Sequence, residues 1–288
     1  MDQATPLAEM TAAADGGDAE SAHRLALMHG CGLGAPLDWN AAFARLRQAA
    51  DGGHEVARGS LEILGATPDI DSLLAGPAPT VLSRRPHVLS IAGFLSPEAC
   101  DWLIARARPR LGRAAVYDNV SAGPVVQDIR DNSTAPFEFF ELDLVLLLVR
   151  ERIARATGLP VPGLEPVQIL HYAVGQRFEP HFDWLDPARP GHRPDLARSG
   201  QRVATFLIYL NDGYEGGETE MPSIGLKHRG AVGDALFWAN VTPDGKPDPS
   251  TLHAGRAPTL GEKWVLSQWC RNRAPRRDPP DAPRSASA

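Results

Sequence analysis

Cysteine is scarce in this chain. Cys31, Cys100 and Cys270 are the only three, spread across 288 residues. That spacing makes neither a disulfide framework nor a zinc cluster, and it fits a reducing cytoplasm. Long apolar runs are missing too. Residues 142–149 form the most apolar stretch, but it is short and flanked by charge, so no membrane span is expected. The first ten residues carry Asp2 and Glu9 and no apolar core, so no signal peptide is expected. A basic excess is absent as well. The formal charge is −6 and the isoelectric point near 5.8, which argues against a general nucleic-acid binder. Lysine is rarer still: Lys227, Lys246 and Lys263 are all there are among 29 basic residues. What the chain has in quantity is proline and glycine, 26 and 27, which implies many turns. Its hydrophobic content of 43% is enough to bury a sizeable core. The length suits one large domain and a small one.

The stretch that organises the chain runs from Gln168 to Arg271. Arg177-Phe178-Glu179-Pro180-His181-Phe182-Asp183 alternates as a strand does, so His181 and Asp183 point to one face and Phe182 to the other. His253 follows seventy residues after Asp183, and Lys263 ten after that. Two imidazoles and one carboxylate can cap one face of an iron(II) ion and leave the opposite positions open. The residues around His253 and around Lys263 both read as strands. If the two pair as neighbours, Lys263 sits deeper than His253 in one cavity. A chain that uses arginine for surface charge places a lysine at an apolar strand position there. A compact ammonium fits a narrow pocket that a guanidinium does not. His192, by contrast, reads as a solvated loop histidine.

Several segments now taken together carry a family pattern. They are Ile169-Leu170-His171-Tyr172-Ala173-Val174-Gly175-Gln176, Phe178-Glu179-Pro180-His181-Phe182-Asp183, the run 202–211, Glu215-Gly216-Gly217-Glu218-Thr219, Gly233-Asp234-Ala235-Leu236-Phe237-Trp238, and His253-Ala254-Gly255 through Lys263-Trp264. In order and spacing they resemble the prolyl 4-hydroxylase branch of the iron(II)/2-oxoglutarate dioxygenases, over residues 85 to 272. The resemblance implies His181, Asp183 and His253 as iron ligands. It implies Lys263 and Tyr172 on the distal carboxylate of 2-oxoglutarate, with Thr205 in the co-substrate pocket. Arg202 and Trp269 match positions that line the substrate side. Fe(2+), 2-oxoglutarate and ascorbate are the implied small partners. The aspartate at 183 stands where related halogenases carry a small residue, which favours hydroxylation.

The N-terminal region is separate in pattern. Ala13-Ala14-Asp15-Gly16-Gly17 recurs as Ala49-Ala50-Asp51-Gly52-Gly53, a shift of 36 residues. A period of that size signals stacked helical hairpins. Residues 21–28 have apolar positions at helical spacing, and 38–50 form a second amphipathic helix with Asp38 as N-cap. The segment resembles the Sel1-like repeat, a relative of the tetratricopeptide repeat. Only one and a half repeats are visible, so it is expected to pack on the domain that follows.

The expected plan is therefore an α+β protein. Residues 1–66 form the helical repeat segment, 67–84 a linker, 85–273 the dioxygenase domain and 274–288 a disordered tail. Helices begin at Ser96-Pro97-Glu98 and at residue 142, the second stopped by Gly158 and Pro160. A run of short strands from residue 166 to 270 suits a double-stranded β-helix, or jelly roll, with helices on one outer face. Two long interruptions fall at 184–200, read as a substrate lid, and at 240–250. The expected activity is hydroxylation of an unactivated C–H, foremost in a prolyl residue of a protein or peptide, with release of succinate and CO2. A small-molecule hydroxylase, such as one acting on a free amino acid, uses the same residues. A repeat adaptor that binds metal without turnover is the non-enzymatic alternative. A protein partner through the repeats is expected; nucleic acid and membrane are not.

Overall fold

The computed structural model describes residues 7–34, 36–114, 116–117, 124–125 and 130–275. Most of the expected disordered tail, residues 276–288, lies outside the described residues.

Five helices come first: α1 (Leu7–Asp15), α2 (Ala19–Cys31), α3 (Trp39–Asp51), α4 (Glu55–Leu64) and α5 (Ile70–Leu74). Three have an aspartate N-cap. Asp18, Asp38 and Asp69 each accept a hydrogen bond from a first-turn backbone N–H, satisfying donors that the helix itself leaves open. The structure extends the sequence reading here, because α1 and α4 complete two helical hairpins, α1–α2 and α3–α4. Alanines 14, 22, 26, 42, 49 and 57 are fully buried between the helices, and small side chains allow that close approach.

The strands are β1 (Thr80–Arg84), β2 (His87–Ile91), β3 (Gly112–Arg113), β4 (Val116–Tyr117), β5 (Pro124–Val125), β6 (Ser133–Phe137), β7 (Val167–Tyr172), β8 (Phe178–His181), β9 (Arg202–Tyr209), β10 (Glu215–Gly216), β11 (Thr219–Met221), β12 (Leu226–His228), β13 (Ala235–Ala239), β14 (His253–Gly255), β15 (Pro258–Leu260) and β16 (Lys263–Arg271). Between them lie α6 (Pro97–Ala107), α7 (Leu144–Thr157) and α8 (Arg193–Ser199). The 67–84 stretch, expected as a linker, carries α5 and β1 instead. Its prolines flank those elements rather than dissolve them, and β1 pairs with β2 at the sheet edge.

Eight strands form a major sheet in the order β1-β2-β13-β9-β16-β7-β6-β3, and four form a minor sheet in the order β12-β11-β14-β8. Among the described residues, every strand pairing in both is antiparallel. The expected mixture of helices and antiparallel strands is therefore present. One face of the major sheet, with Ile169, Phe206, Ile208, Trp264 and Leu266, joins a single apolar core with α6, α7 and the N-terminal helices. Strand side chains alternate, so Thr205, Leu207, Lys263, Val265, Ser267 and Trp269 face the opposite way, where they line a cavity. Among the described residues no helix is long and apolar enough to cross a membrane.

The helical segment is seated on α6 and α7. Trp102 of α6 donates its indole N–H to Asp143 at 2.9 Å, and Asp143 also caps α7 through the N–H of Leu146. A Cβ added at Gly59 in α4 would fall 2.2 Å from the Trp102 ring. Glycine is required there by contact and not by backbone conformation. Gly59→Val should cost about 1–3 kcal/mol in urea denaturation, the usual penalty for forcing volume into a packed interior. An unchanged midpoint would mean that α4 is not packed against Trp102.

Candidate active site

The minor sheet brings two histidines together. In the β14–β8 pairing His253 stands opposite His181, and the ring centroids are 4.2 Å apart. Asp183 lies just past the end of β8, where the chain leaves the sheet, and its side chain is buried. Ligand atoms of His181, Asp183 and His253 all fall within 4.8 Å of one another. Neighbours hold the rings: Phe178 stacks on His181 at 3.4 Å, and Trp238 meets His253 edge-on at 4.7 Å.

Hydrogen bonds fix which nitrogen faces inward. His181 Nδ1 pairs with the carbonyl of Glu179 at 2.7 Å, and His253 Nδ1 with that of Thr251 at 3.0 Å. A carbonyl only accepts, so each Nδ1 carries the proton, and in the neutral ring Nε2 keeps its lone pair. Burial, then the neighbouring His253, pushes the His181 imidazole down to about 3, so it is neutral at physiological pH. Burial alone would raise the Asp183 carboxyl. The two imidazoles and the Thr205 hydroxyl outweigh that and hold it below its ordinary value. His181 Nε2 therefore faces a carboxylate oxygen at 3.6 Å, and His253 Nε2 faces the other at 3.4 Å. Imidazole nitrogens and a carboxylate turned toward one another in this way are a donor set for a divalent cation.

Lys263 faces this cluster from the other sheet. The sequence left open whether its strand pairs with that of His253, and it does not: β16 is central in the major sheet and β14 belongs to the minor one. Facing sheets, rather than adjacent strands, bring the two residues to one cavity. Lys263 stands opposite Tyr172 in the β16–β7 register. It is 2% exposed and donates to the carbonyl of Gly217 at 2.6 Å. The Tyr172 and Tyr209 ring centroids lie 5.3 and 5.7 Å from its nitrogen. Among the described residues no carboxylate is within ion-pairing distance of it. Burial lowers its ammonium to about 7, while burial raises the Tyr172 phenol to about 12.

Thr205 and Trp269 also line the cavity. The Thr205 hydroxyl is committed to Asp183 Oδ2 at 2.6 Å. Arg202, expected on the substrate side, has its guanidinium on Glu165 through two bonds of 2.6 and 2.8 Å. It also stacks over the Trp269 ring at 3.7 Å. It supports the Trp269 ring from behind instead of lining the cavity, because Glu165 offers it a bidentate partner. The 184–200 stretch is not a free lid. It contains α8, and Arg271 ties it to β16 by donating to Asp195 and to the carbonyl of Gly200, both at 2.6 Å. His192 is buried there, and its Nδ1 accepts from the N–H of Asp186 at 2.9 Å. The solvated reading of His192 fails because the loop folds back on itself.

Arg130 was not anticipated. It lines the cavity, lies over Phe178 at 4.7 Å and donates to Asn132 at 2.9 Å. It comes from a turn-rich stretch with no periodicity to mark it. Asn240, at the end of β13, was missed for the same reason.

Comparison with known proteins agrees with this site. A family model described as the 2OG-Fe(II) oxygenase superfamily matches residues 167–271. Over 210 residues the chain is 34% identical to prolyl 4-hydroxylase 1 of Arabidopsis thaliana, covering 68% of this chain and 72% of that one. The chain belongs to the prolyl 4-hydroxylase family. It is also 33% identical over 189 residues to prolyl 4-hydroxylase subunit alpha-1 of Gallus gallus, with 66% of this chain and 36% of the longer relative covered. Among solved structures, the viral collagen prolyl hydroxylase from Paramecium Bursaria Chlorella virus-1, in its 2OG complex, shares 27% identity. It covers 63% of this chain and 94% of its own, with a TM-score of 0.49. As a prolyl 4-hydroxylase family member, the chain is a dioxygenase dependent on iron(II) and 2-oxoglutarate. The imidazole and carboxylate donors at 181, 183 and 253, and the buried Lys263 ammonium with no carboxylate at ion-pairing distance among the described residues, fit that metal and that dianion.

The lone ammonium also has a cost that can be measured. Unfolded, Lys263 holds its proton to its ordinary value of 10.5; folded, it releases it near 7. Between those values the unfolded state binds more protons, so stability rises with pH, by at most about 1.4 kcal/mol per unit for one group. Urea denaturation of the ligand-free protein from pH 7 to 10 should show this slope, and Lys263→Met should remove it. Parallel profiles for the two proteins would mean that Lys263 is not a buried, unpaired cation.

Proposed function

We propose that this protein hydroxylates a prolyl residue of a protein or peptide, consuming oxygen and 2-oxoglutarate and releasing succinate and CO2. His181, Asp183 and His253 hold the iron. Lys263 and Tyr172 receive the far carboxylate of 2-oxoglutarate. The observation that carries this reading is Lys263 itself: a buried cation with no carboxylate at ion-pairing distance among the described residues, facing the His-Asp-His cluster. Such a charge is costly unless a ligand neutralises it.

Iron(II) with 2-oxoglutarate supplies the oxidising power when bound; the chemistry is the cofactor's. The chain supplies geometry. Nδ1–H bonds to Glu179 and Thr251 keep both imidazoles turned inward. Leu170, Leu207 and Val265 give the cavity apolar walls that limit water. Trp269 offers its ring on the substrate side, held flat by Arg202, and a proline ring packs well on such a surface. Ascorbate fits as the reductant that keeps the iron ferrous.

The same reading extends to the rest of the chain. Two facing antiparallel sheets with a site between them support a jelly roll in residues 85–273. The two hairpins α1–α2 and α3–α4 and the 36-residue recurrence support a Sel1-like repeat in residues 1–66, and its exposed surface is the place for a protein partner. Three free cysteines accord with a cytoplasmic setting.

Purified protein with iron(II), 2-oxoglutarate and a proline-rich peptide should form succinate, and His181→Ala or Asp183→Ala should abolish it. Retained turnover in either variant contradicts the ligand set. Lys263→Met should raise the KM for 2-oxoglutarate by about two orders of magnitude, the loss expected when a charge-assisted contact of about 3 kcal/mol goes. The affinity should also depend on pH. Only the ammonium pairs with a carboxylate, and the free protein loses that proton near 7. Affinity should therefore fall by up to about tenfold per pH unit above 7. A flat profile from pH 7 to 9 would place the carboxylate elsewhere.

A further inference from the structure

The 240–250 stretch, the second long interruption between strands, has a place in the site. Asn240 is fully buried at its start. Its amide group donates to Thr205 Oγ1 at 2.9 Å, and that hydroxyl donates to Asp183 Oδ2 at 2.6 Å. A hydroxyl has one proton to give. Because Thr205 receives from Asn240, its proton goes to the carboxylate, and the direction of the chain is set. All three side chains are buried, so water competes little for these bonds.

The backbone of Asn240 reaches the other side of the site. Its N–H donates to the carbonyl of Val203 at 2.8 Å, anchoring it to β9, and its carbonyl accepts from the N–H of Asp248 at 3.1 Å. The Asp248 carbonyl accepts from Thr251 Oγ1 at 2.7 Å. The Thr251 carbonyl in turn takes the Nδ1 proton of His253 at 3.0 Å. One residue thus connects to Asp183 through its side chain and to His253 through the loop. Thr205 and Asn240 belong to the major-sheet strands β9 and β13 or their ends. The groups they control sit on the minor sheet.

We propose that Asn240 and Thr205 are positioning residues that clamp the Asp183 carboxylate and the His253 ring in a metal-ready arrangement before any metal arrives. The inference rests on the reading of His181, Asp183 and His253 as the metal ligands. Groups that orient ligands in this way are worth about 10- to 100-fold in metal affinity.

The test is calorimetric titration of the metal-free full chain with cobalt(II), alongside thermal melts of the same metal-free samples. Thr205→Val removes the hydroxyl and little volume. It should weaken cobalt binding by about tenfold or more, and Thr205→Ser, which restores the hydroxyl, should recover most of that loss. Asn240→Ala should weaken binding in the same direction, and it carries the test should Thr205→Val not fold. A purely structural role would lower the metal-free melting temperature of Thr205→Val and leave cobalt affinity unchanged, and that result overturns the clamp. Asp183→Ala is the control. Full cobalt affinity in that variant would refute the ligand assignment itself, whereas loss there with normal binding in Thr205→Val and Asn240→Ala refutes the clamp alone.

Discussion

One strand register governs this molecule's chemistry. With His253 opposite His181 across the β14–β8 pair, two imidazoles share one small volume, and Asp183 enters it from the turn that follows. A slip of one residue would send the histidine to the opposite face. Both faces are specified by packing: Phe178 stacks under one ring and Trp238 meets the other. The inward direction of each Nε2 then follows from a carbonyl behind each Nδ1. Metal affinity here is a consequence of backbone geometry before it is one of side-chain identity.

The major sheet contributes the opposite charge. Its central strand β16 is buried along its whole length, and alternation places Lys263, Ser267 and Trp269 on the cavity side. An ammonium at that depth, with no carboxylate at ion-pairing distance among the described residues, is costly in itself. The same strand ends in Arg271, where the solution is different. Arg271 and Arg202 share Glu165, and Arg271 also reaches Asp195. Burial would raise the Glu165 carboxyl, yet the two guanidiniums hold it below its usual range. One end of the strand thus has its charges matched within the protein, and the other leaves a charge for a ligand. The contrast distinguishes architecture from binding site.

Much of this was readable in the sequence, for identifiable reasons. The His-x-Asp pair and the later histidine stood out because ligands on strands keep a simple period. Lys263 stood out because lysine is scarce. Helix starts at Asp38 and Ser96 were legible because a cap is a local device. Partnering between sheets was not legible, since nothing local says which strand faces which. That is why the pairing of β14 with β16 could only be raised as a condition. Arg202 was expected on the substrate side from the family resemblance, and its bond to Glu165, 37 residues away in sequence, was not legible. His192 looked solvated because a proline-rich loop gives no sign that it folds on itself. Asn240 carried no signal at all; its role exists only once Thr205 and Asp183 have been brought to it.

The measurement that bears most directly on the whole picture is the product balance of one reaction. Purified protein would be supplied with iron(II), 2-oxoglutarate, oxygen and a proline-rich peptide, and succinate and hydroxyproline counted by mass spectrometry. A site built as described yields the two in equal amounts. Succinate without a hydroxylated residue would contradict the prolyl substrate, and no consumption of 2-oxoglutarate would contradict the assignment of Lys263 and the His-Asp-His cluster to one working centre.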